Sequence, residues 1–284
     1  MKKSTVLFAA LAFTATSAFA QLTNKNGEAY LPESGDYAIG IDAAPVLSYF
    51  GNALNGNTNN TPFGWTYSNS NMMITGKMFK SETMAYRGMV RIGFGSASWS
   101  NPVVDDASTS TPVGMTSDEM KSSYNAIYLG GGMEWRRGKG RLQGYYGGMF
   151  MFGMEGGKST WTYGNAYSTT NISPTTTVDF LTGATTNASS RITEMKMGST
   201  MMLGVRGFVG AEYFVLPKLS IGGELGWGLG FSSTGAGEMT SEAWNGTGTT
   251  STTSETGKSS SFGIDTDDSA FGVAPAAVLI HFHF

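Results

Sequence analysis

The stretch PAAVLIHFHF, residues 275–284, decides the fold that the sequence predicts. Every second residue is apolar, and this series ends with Phe282 and Phe284. The intervening residues change from apolar to polar and end with His281 and His283. A period of two is typical of a β-strand, because successive side chains of a strand point to opposite faces. The stretch therefore predicts a strand with one apolar face.

Seven further segments show the same alternation. They cover residues 37–43, 72–80, 84–94, 127–135, 142–152, 203–213 and 221–229. One face is rich in large apolar and aromatic residues, and the other carries small residues with a few charges of both signs. This pattern suits a narrow membrane barrel, whose crowded interior must pair its charges while its outer face meets lipid. A water-soluble β-sandwich is the competing interpretation.

The connections between these segments alternate between short and long. Short links lie around residues 81–82, 138–140 and 216–218, and long links rich in Ser, Thr, Asn and Gly lie near residues 51–71, 97–123, 155–193 and 232–268. Barrels with short periplasmic turns and long extracellular loops produce this alternation. The sequence predicts an all-β fold, a transmembrane antiparallel up-and-down β-barrel of eight strands. Ten strands are the alternative, with the extra ones drawn from 159–192 or 233–268.

The first twenty residues have the pattern of a secretory signal peptide. Lys2 and Lys3 precede an apolar run, and Ala18-Phe19-Ala20 forms a small-x-small cleavage site. We expect one domain, residues 21–284, exported to the outer membrane. Without Lys2 and Lys3 the chain has 16 basic and 21 acidic residues, about −5 net, which disfavours a nucleic-acid partner. With no cysteine, the chain offers neither disulfides nor a lipoprotein anchor.

Three segments resemble small outer-membrane β-barrel proteins of the Bacteroidetes, barrels of the OmpA/OmpX-like kind. They are GDYAIGIDAAPVLSYFGN (35–52), MITGKMFKSETMAYRGMVRIGFGS (73–96) and AEYFVLPKLSIGGELGWGLGF (211–231). The terminal Phe284 matches the aromatic C-terminus of outer-membrane barrels, and the resemblance implies that it is an assembly signal for the barrel-insertion machinery. The resemblance covers strands and turns but no catalytic motif.

The charges on the predicted inner face are the main candidate site. They form a lumen charge network of three cations and three carboxylates: Arg87, Arg91, Arg206, Glu134, Glu212 and Glu224. An eight-stranded barrel is just wide enough to be filled by side chains, so these charges are expected to pair and to plug the interior.

His281 and His283 share one face and are predicted to face the lumen near its periplasmic end. Metal binding would need Asp or Glu ligands from a neighbouring strand, and catalysis would need one histidine as a general base. Lipid-modifying barrel enzymes carry such residues at the outer rim, so the position counts against catalysis. We predict no catalytic residue, no metal site and no cofactor.

The predicted role is structural or interactive, through surface-exposed loops. Expected partners are outer-membrane lipid and lipopolysaccharide, the insertion machinery during assembly, and a protein or glycan at the extracellular loops. A narrow porin-like channel for small solutes is the first alternative, and a lipid-modifying barrel enzyme is the second. The loop aromatics Trp161, Tyr163, Tyr167 and Trp244 are expected to brace the loops or to bind such a partner.

Overall fold

A computed structural model of the chain describes residues 22–43, 74–265 and 276–284. These residues form fourteen β-strands and no helix, so the prediction of an all-β antiparallel fold is confirmed. The strands are β1 (Tyr37–Asp42), β2 (Ile74–Ser81), β3 (Met84–Val104), β4 (Met115–Lys139), β5 (Leu142–Thr162), β6 (Thr175–Asp179), β7 (Ala184–Asn187), β8 (Ser190–Lys196), β9 (Thr200–Leu216), β10 (Leu219–Thr234), β11 (Glu238–Trp244), β12 (Thr249–Glu255), β13 (Ser259–Asp265) and β14 (Ala276–His283). Within the described residues, no helix is long and apolar enough to cross a membrane.

Eight of these strands pair in a closed ring. The antiparallel pairs run β1–β2, β2–β3, β3–β4, β4–β5, β5–β9, β9–β10, β10–β14 and β14–β1. Each of the eight segments with predicted alternation contributes one strand to this ring. The pairing of β1 with β14 joins the two ends of the described chain, with Ala38 opposite His283 and Ile41 opposite Ile280.

Tight turns join neighbouring strands at one end of the ring. Two residues suffice between β2 and β3, between β4 and β5 and between β9 and β10. The backbone enters the left-handed region in two of these turns, at Gly140 with a φ of 79° and at Lys218 with a φ of 65°. Glycine adopts this conformation at no steric cost, which explains Gly140.

The strands continue well beyond the ring at its other end. There β3, β4, β5, β8, β11 and β12 form a six-stranded sheet, which we call the crown. Strand β5 pairs with β9 as far as Glu155 and with β8 from Lys158 onward. The predicted long links 97–123, 155–193 and 232–268 therefore contain regular β-structure, whereas 51–71 lies outside the described residues.

A separate hairpin of β6 and β7 lies beside the crown. It pairs only with itself among the described strands, and the Asn101 side chain of β3 donates hydrogen bonds to Thr177 and to the carbonyl of Gly183. The ten-stranded alternative needed extra strands from the segment 159–192, and β6 and β7 are such strands. They pair with each other and not with any strand of the eight-stranded ring.

Burial alternates along the ring strands with the charged face hidden. On β9, Arg206, Glu212 and Phe214 are buried, whereas Val205 and Val209 are 50% and 58% exposed. This is the reverse of a water-soluble protein, where apolar side chains are inside and ionised ones outside.

Candidate functional site in the ring interior

Seven Lys, Arg and Glu side chains fill the interior near the tight-turn end. Each is at most 4% exposed, and they come from five strands: Lys77 of β2, Arg87 of β3, Glu134 and Arg136 of β4, Arg206 and Glu212 of β9, and Glu224 of β10. Strand alternation places them there, since each shares the parity of the buried residues on its strand. Buried ions of this kind must be paired, and all seven are.

Glu224 bridges two arginines in the layer nearer the crown. Its Oε1 lies 2.6 Å from Nη1 of Arg206, and its Oε2 accepts a hydrogen bond from Nη1 of Arg87. Both guanidinium groups also lie over the ring of Phe208, at 4.4 Å for Arg87 and 5.7 Å for Arg206. The phenyl ring therefore supplies an electron-rich face to cations that have lost their water.

Glu134 and Glu212 organise the layer nearer the tight turns. The Nζ atom of Lys77 lies 3.0 Å from Glu134 Oε2 and 3.4 Å from Glu212 Oε2. Arg136 pairs with Glu212 and lies 3.8 Å from Glu134, and Arg87 reaches Glu134 at 3.6 Å. Glu134 thus touches three cations and links the two layers into one network.

The two histidines lie against this network on its tight-turn side. The Oγ atom of Ser220 is 3.0 Å from His283 Nε2 and 3.5 Å from Glu212 Oε2, and His281 Nδ1 is 3.7 Å from the same carboxylate oxygen. Ser220, His283 and Glu212 are the residue types that could serve as a nucleophile, its general base and an acidic partner. Ser220 and His281 are 0% exposed, however, so a substrate cannot reach them.

Aromatic rings close the interior below the histidines. The His283 ring lies 5.1 Å from that of Phe214 and 5.7 Å from that of Phe79. Both phenylalanines are at most 1% exposed. In the part of the chain that the structure describes, no three His, Asp, Glu or Cys side chains come together as a metal site.

The structure brings five of the six predicted network residues together. Arg91 follows Arg87 by four residues on β3 and is half-buried nearer the crown, with its guanidinium 5.6 Å from the ring of Tyr128. Sequence reasoning missed Lys77 and Arg136. Arg136 shares the parity of Glu134, so the alternation alone could have found it. Lys77 lies in the segment where the alternation was weakest.

Large apolar side chains surround the ring on its outer face. Every ring strand contributes at least one that is more than a third exposed, including Tyr37, Ile39, Ile74, Met78, Ile92, Phe94, Leu129, Met133, Phe150, Val205, Val209, Leu225, Trp227 and Phe282. At the lower edge, Trp135 and Tyr146 stack with ring centroids 6.0 Å apart. Phe284 is 55% exposed, and its backbone exchanges two hydrogen bonds with Tyr37.

A second polar cluster braces the crown. Arg191 lies between the rings of Tyr163 and Tyr167, at 4.3 Å and 4.7 Å, and its Nε donates to Glu242 at 2.7 Å. Burial raises the pKa of the Tyr163 hydroxyl, although the charge of Arg191 opposes that shift. Two of the four loop aromatics therefore brace the crown, as expected.

Two aspartates fasten the chain that follows β5 to the β3–β4 hairpin. Asp118 accepts hydrogen bonds from the backbone of Gly164 and Thr177, and Asp106 accepts them from Thr175 and Asn171. Burial opposes ionisation of Asp106, but these hydrogen bonds prevail and hold its pKa below the ordinary value. The crown is thus held by specific polar contacts.

No protein-family model matches the chain, and no curated protein is significantly similar to it.

Proposed function

We propose that the chain is an integral outer-membrane β-barrel whose lumen is plugged by paired charges, and that it acts as a structural or interaction protein through its crown. The observation that carries the proposal is the inverted burial of the ring. Apolar side chains are exposed on all eight ring strands, while seven Lys, Arg and Glu side chains lie inside at no more than 4% exposure. An apolar surface that encircles a molecule is unfavourable in water and favourable in lipid.

The height of the apolar band fits a bilayer. On β9 the exposed outward apolar residues run from Met201 to Val215, and at about 3.3 Å per residue and a tilt of about 40° this corresponds to roughly 35 Å along the barrel axis. This height exceeds the hydrocarbon core of a bilayer, about 30 Å, and is less than the bilayer with its headgroup regions, about 40–45 Å. Tyr37, Trp135, Tyr146 and Tyr213 at its lower edge have the amphipathic rings that favour the lipid–water interface.

The crown is the part of the molecule that would meet a partner. Its strands β8, β11 and β12 lie beyond the apolar band, and β12 is exposed along its whole length. The proposed partners are those predicted from the sequence: lipid and lipopolysaccharide around the band, the insertion machinery during assembly, and a protein or glycan at the crown. Export would depend on the predicted signal peptide, residues 1–20, which lies outside the described residues.

Conductance in a planar lipid bilayer tests the plug. We expect the refolded protein to insert, to shift its gel mobility on heating, and to remain electrically silent. Steady ohmic openings would favour the porin-like alternative, which would make Arg87 and Arg206 pore-lining. Refolding to a monodisperse, detergent-free species in water would contradict the membrane proposal itself.

A further inference from the structure

The inward residues nearest the tight turns are buried although they lie at the ends of their strands. Phe79 is two residues from the end of β2, Phe214 is two residues from the end of β9, and His283 is the last residue of β14. They are 1%, 0% and 4% exposed. Inward side chains at the mouth of an open ring would meet water, so another part of the chain must cover these three.

The segment that precedes β1 lies at this mouth, and we call residues 22–36 the strap. Its C-terminal end continues the pairing of β1 with β2. The N–H group of Gly35 donates to the carbonyl of Phe79 at 2.8 Å, and the N–H group of Phe79 donates to the carbonyl of Asp36 at 2.8 Å. This end of the strap is therefore attached directly beside one of the residues that need cover.

The other end of the strap is attached at the turn between β4 and β5. Tyr30 is 8% exposed, and the guanidinium of Arg141 in that turn donates a hydrogen bond to the Tyr30 hydroxyl and lies 3.8 Å from the Tyr30 ring. The carbonyl of Arg141 accepts a hydrogen bond from the backbone of Phe214 at 2.9 Å. This end therefore lies beside a second residue that needs cover.

The strap is long enough to cross the mouth. A ring of eight strands that lie about 4.8 Å apart and tilt by about 40° is roughly 16 Å across, and the step from Asp36 to Tyr30 can span up to about 20 Å. Strands β2 and β3 separate the two attachment points on one side, and β9, β10 and β14 separate them on the other. Pro32, between the two points, is buried. The strap therefore crosses the mouth and covers the aromatic residues there.

A small folded loop presents Tyr30 to the ring. The side-chain oxygen of Asn24 accepts hydrogen bonds from the N–H groups of Asn26 and Glu28, at 2.9 Å each, so the loop holds its own shape. The contact between Tyr30 and Arg141 is made by side chains and not by a backbone ladder. This end of the strap can therefore open locally while the ring stays folded.

We propose that the strap is a latched lid on the tight-turn mouth and that Arg141 is its latch. The closed lid keeps water from the layer of Phe79, Phe214 and His283. Release of the latch admits water and small molecules to His283 and to Ser220, whose Oγ atom lies 3.0 Å from His283 Nε2. Only the assignment of this mouth to the periplasmic side rests on the proposed membrane role.

Diethyl pyrocarbonate, which modifies accessible histidine side chains, tests the lid. The chain has two histidines, and they are 0% and 4% exposed, so the detergent-refolded parent should react slowly. Arg141→Ala removes the latch but keeps the backbone carbonyl that Phe214 binds. It should accelerate the modification by about tenfold or more, because the rate follows the population of the open lid. Adding His283→Gln should abolish this gain.

Deletion of residues 22–34 removes the strap and should give at least the rate of Arg141→Ala. The matched control is Arg137→Ala, which removes an exposed arginine near the end of β4 and should react as slowly as the parent. Slow modification of the deletion variant would mean that the turns cover His283 without the strap, and it would overturn the proposal. Fast modification of the parent, or equal rates in Arg141→Ala and Arg137→Ala, would overturn it as well.

Heat-dependent gel mobility shows independently whether each variant has folded. A folded parent that fails to insert into lipid vesicles would count against the membrane role, whereas the histidine rates would still report on the strap. Failure of the lid is therefore distinguishable from failure of the membrane barrel.

Discussion

The substitution Glu224→Gln isolates the charge of the carboxylate that bridges Arg87 and Arg206. The amide has nearly the shape of the carboxylate but carries no charge, so two guanidinium groups, each 4% exposed, lose their shared counter-ion. Breaking a buried ion pair from one side costs about 3–5 kcal/mol, because a desolvated charge is left uncompensated. Arg87 keeps Glu134 at 3.6 Å, and the amide oxygen still accepts one hydrogen bond, so we expect a loss of about 3 kcal/mol.

Equilibrium unfolding in urea, with the protein in lipid vesicles and followed by tryptophan fluorescence, measures this loss. The matched control is Glu119→Gln, which removes the same charge from a 4.0 Å pair with Lys121 whose side chains are 52% and 69% exposed. Such exposed pairs contribute little, so the control should stay within about 0.5 kcal/mol of the parent. A loss below about 1 kcal/mol for Glu224→Gln would refute the argument that the interior charges are desolvated and mutually dependent.

A second substitution separates lost pairing from lost packing. Arg206→Met removes one of the two cations, so it should be much less harmful in the Glu224→Gln background than alone. The expected coupling between the two changes is at least about 1 kcal/mol. Additive losses would mean that Arg206 and Glu224 stabilise the ring independently of each other.

Three further outcomes test other parts of the molecule. Deleting Phe284 should reduce membrane assembly in cells far more than His283→Ala does, and equal yields of folded protein would contradict the assembly-signal role. Val209→Arg places a charge on the middle of the apolar band and should cost about 2–4 kcal/mol of folding free energy in vesicles, a loss that a water-soluble protein would not show at this exposed position. Hydrogen bonds to the ionised carboxylate hold the pKa of Asp106 below its unfolded value of 3.8. The crown stability that they contribute is present above pH 3.8 and is lost as the pH falls through the lower pKa of the folded state. Proteolysis of the crown should therefore accelerate in strong acid, and Asp106→Asn should remove that dependence.

The ring was predictable from the sequence because its two faces meet different surroundings. Residues of β9 alternate between Val205 or Val209 outside and Arg206 or Phe208 inside, and that contrast is visible as a period of two. The crown strands lack such a contrast. Strand β12, TTSTTSE, is exposed on both faces, so its residues show no alternation and read as a polar link. Its strand form depends on pairing with β11, which only the folded chain reveals.

The charge network was predictable as a set of residues but not as a set of partners. Parity placed Glu134, Glu212 and Glu224 on the inner face, whereas the relative height of residues on different strands is set by register. Register puts Arg206 opposite Gly228 and Met149, and so brings it within reach of Glu224. Lys77, which neutralises two carboxylates, was missed because a lysine in a weakly alternating segment is usually a solvated side chain.

Inward glycines have a definite packing role in the ring interior. Near the tight turns they make room for bulky neighbours: a Cβ on Gly210 would collide with Tyr145, and one on Gly147 with Phe208. A Cβ at either position would have to displace an aromatic ring of the interior, so these glycines are part of the packing of the charged and aromatic side chains around them.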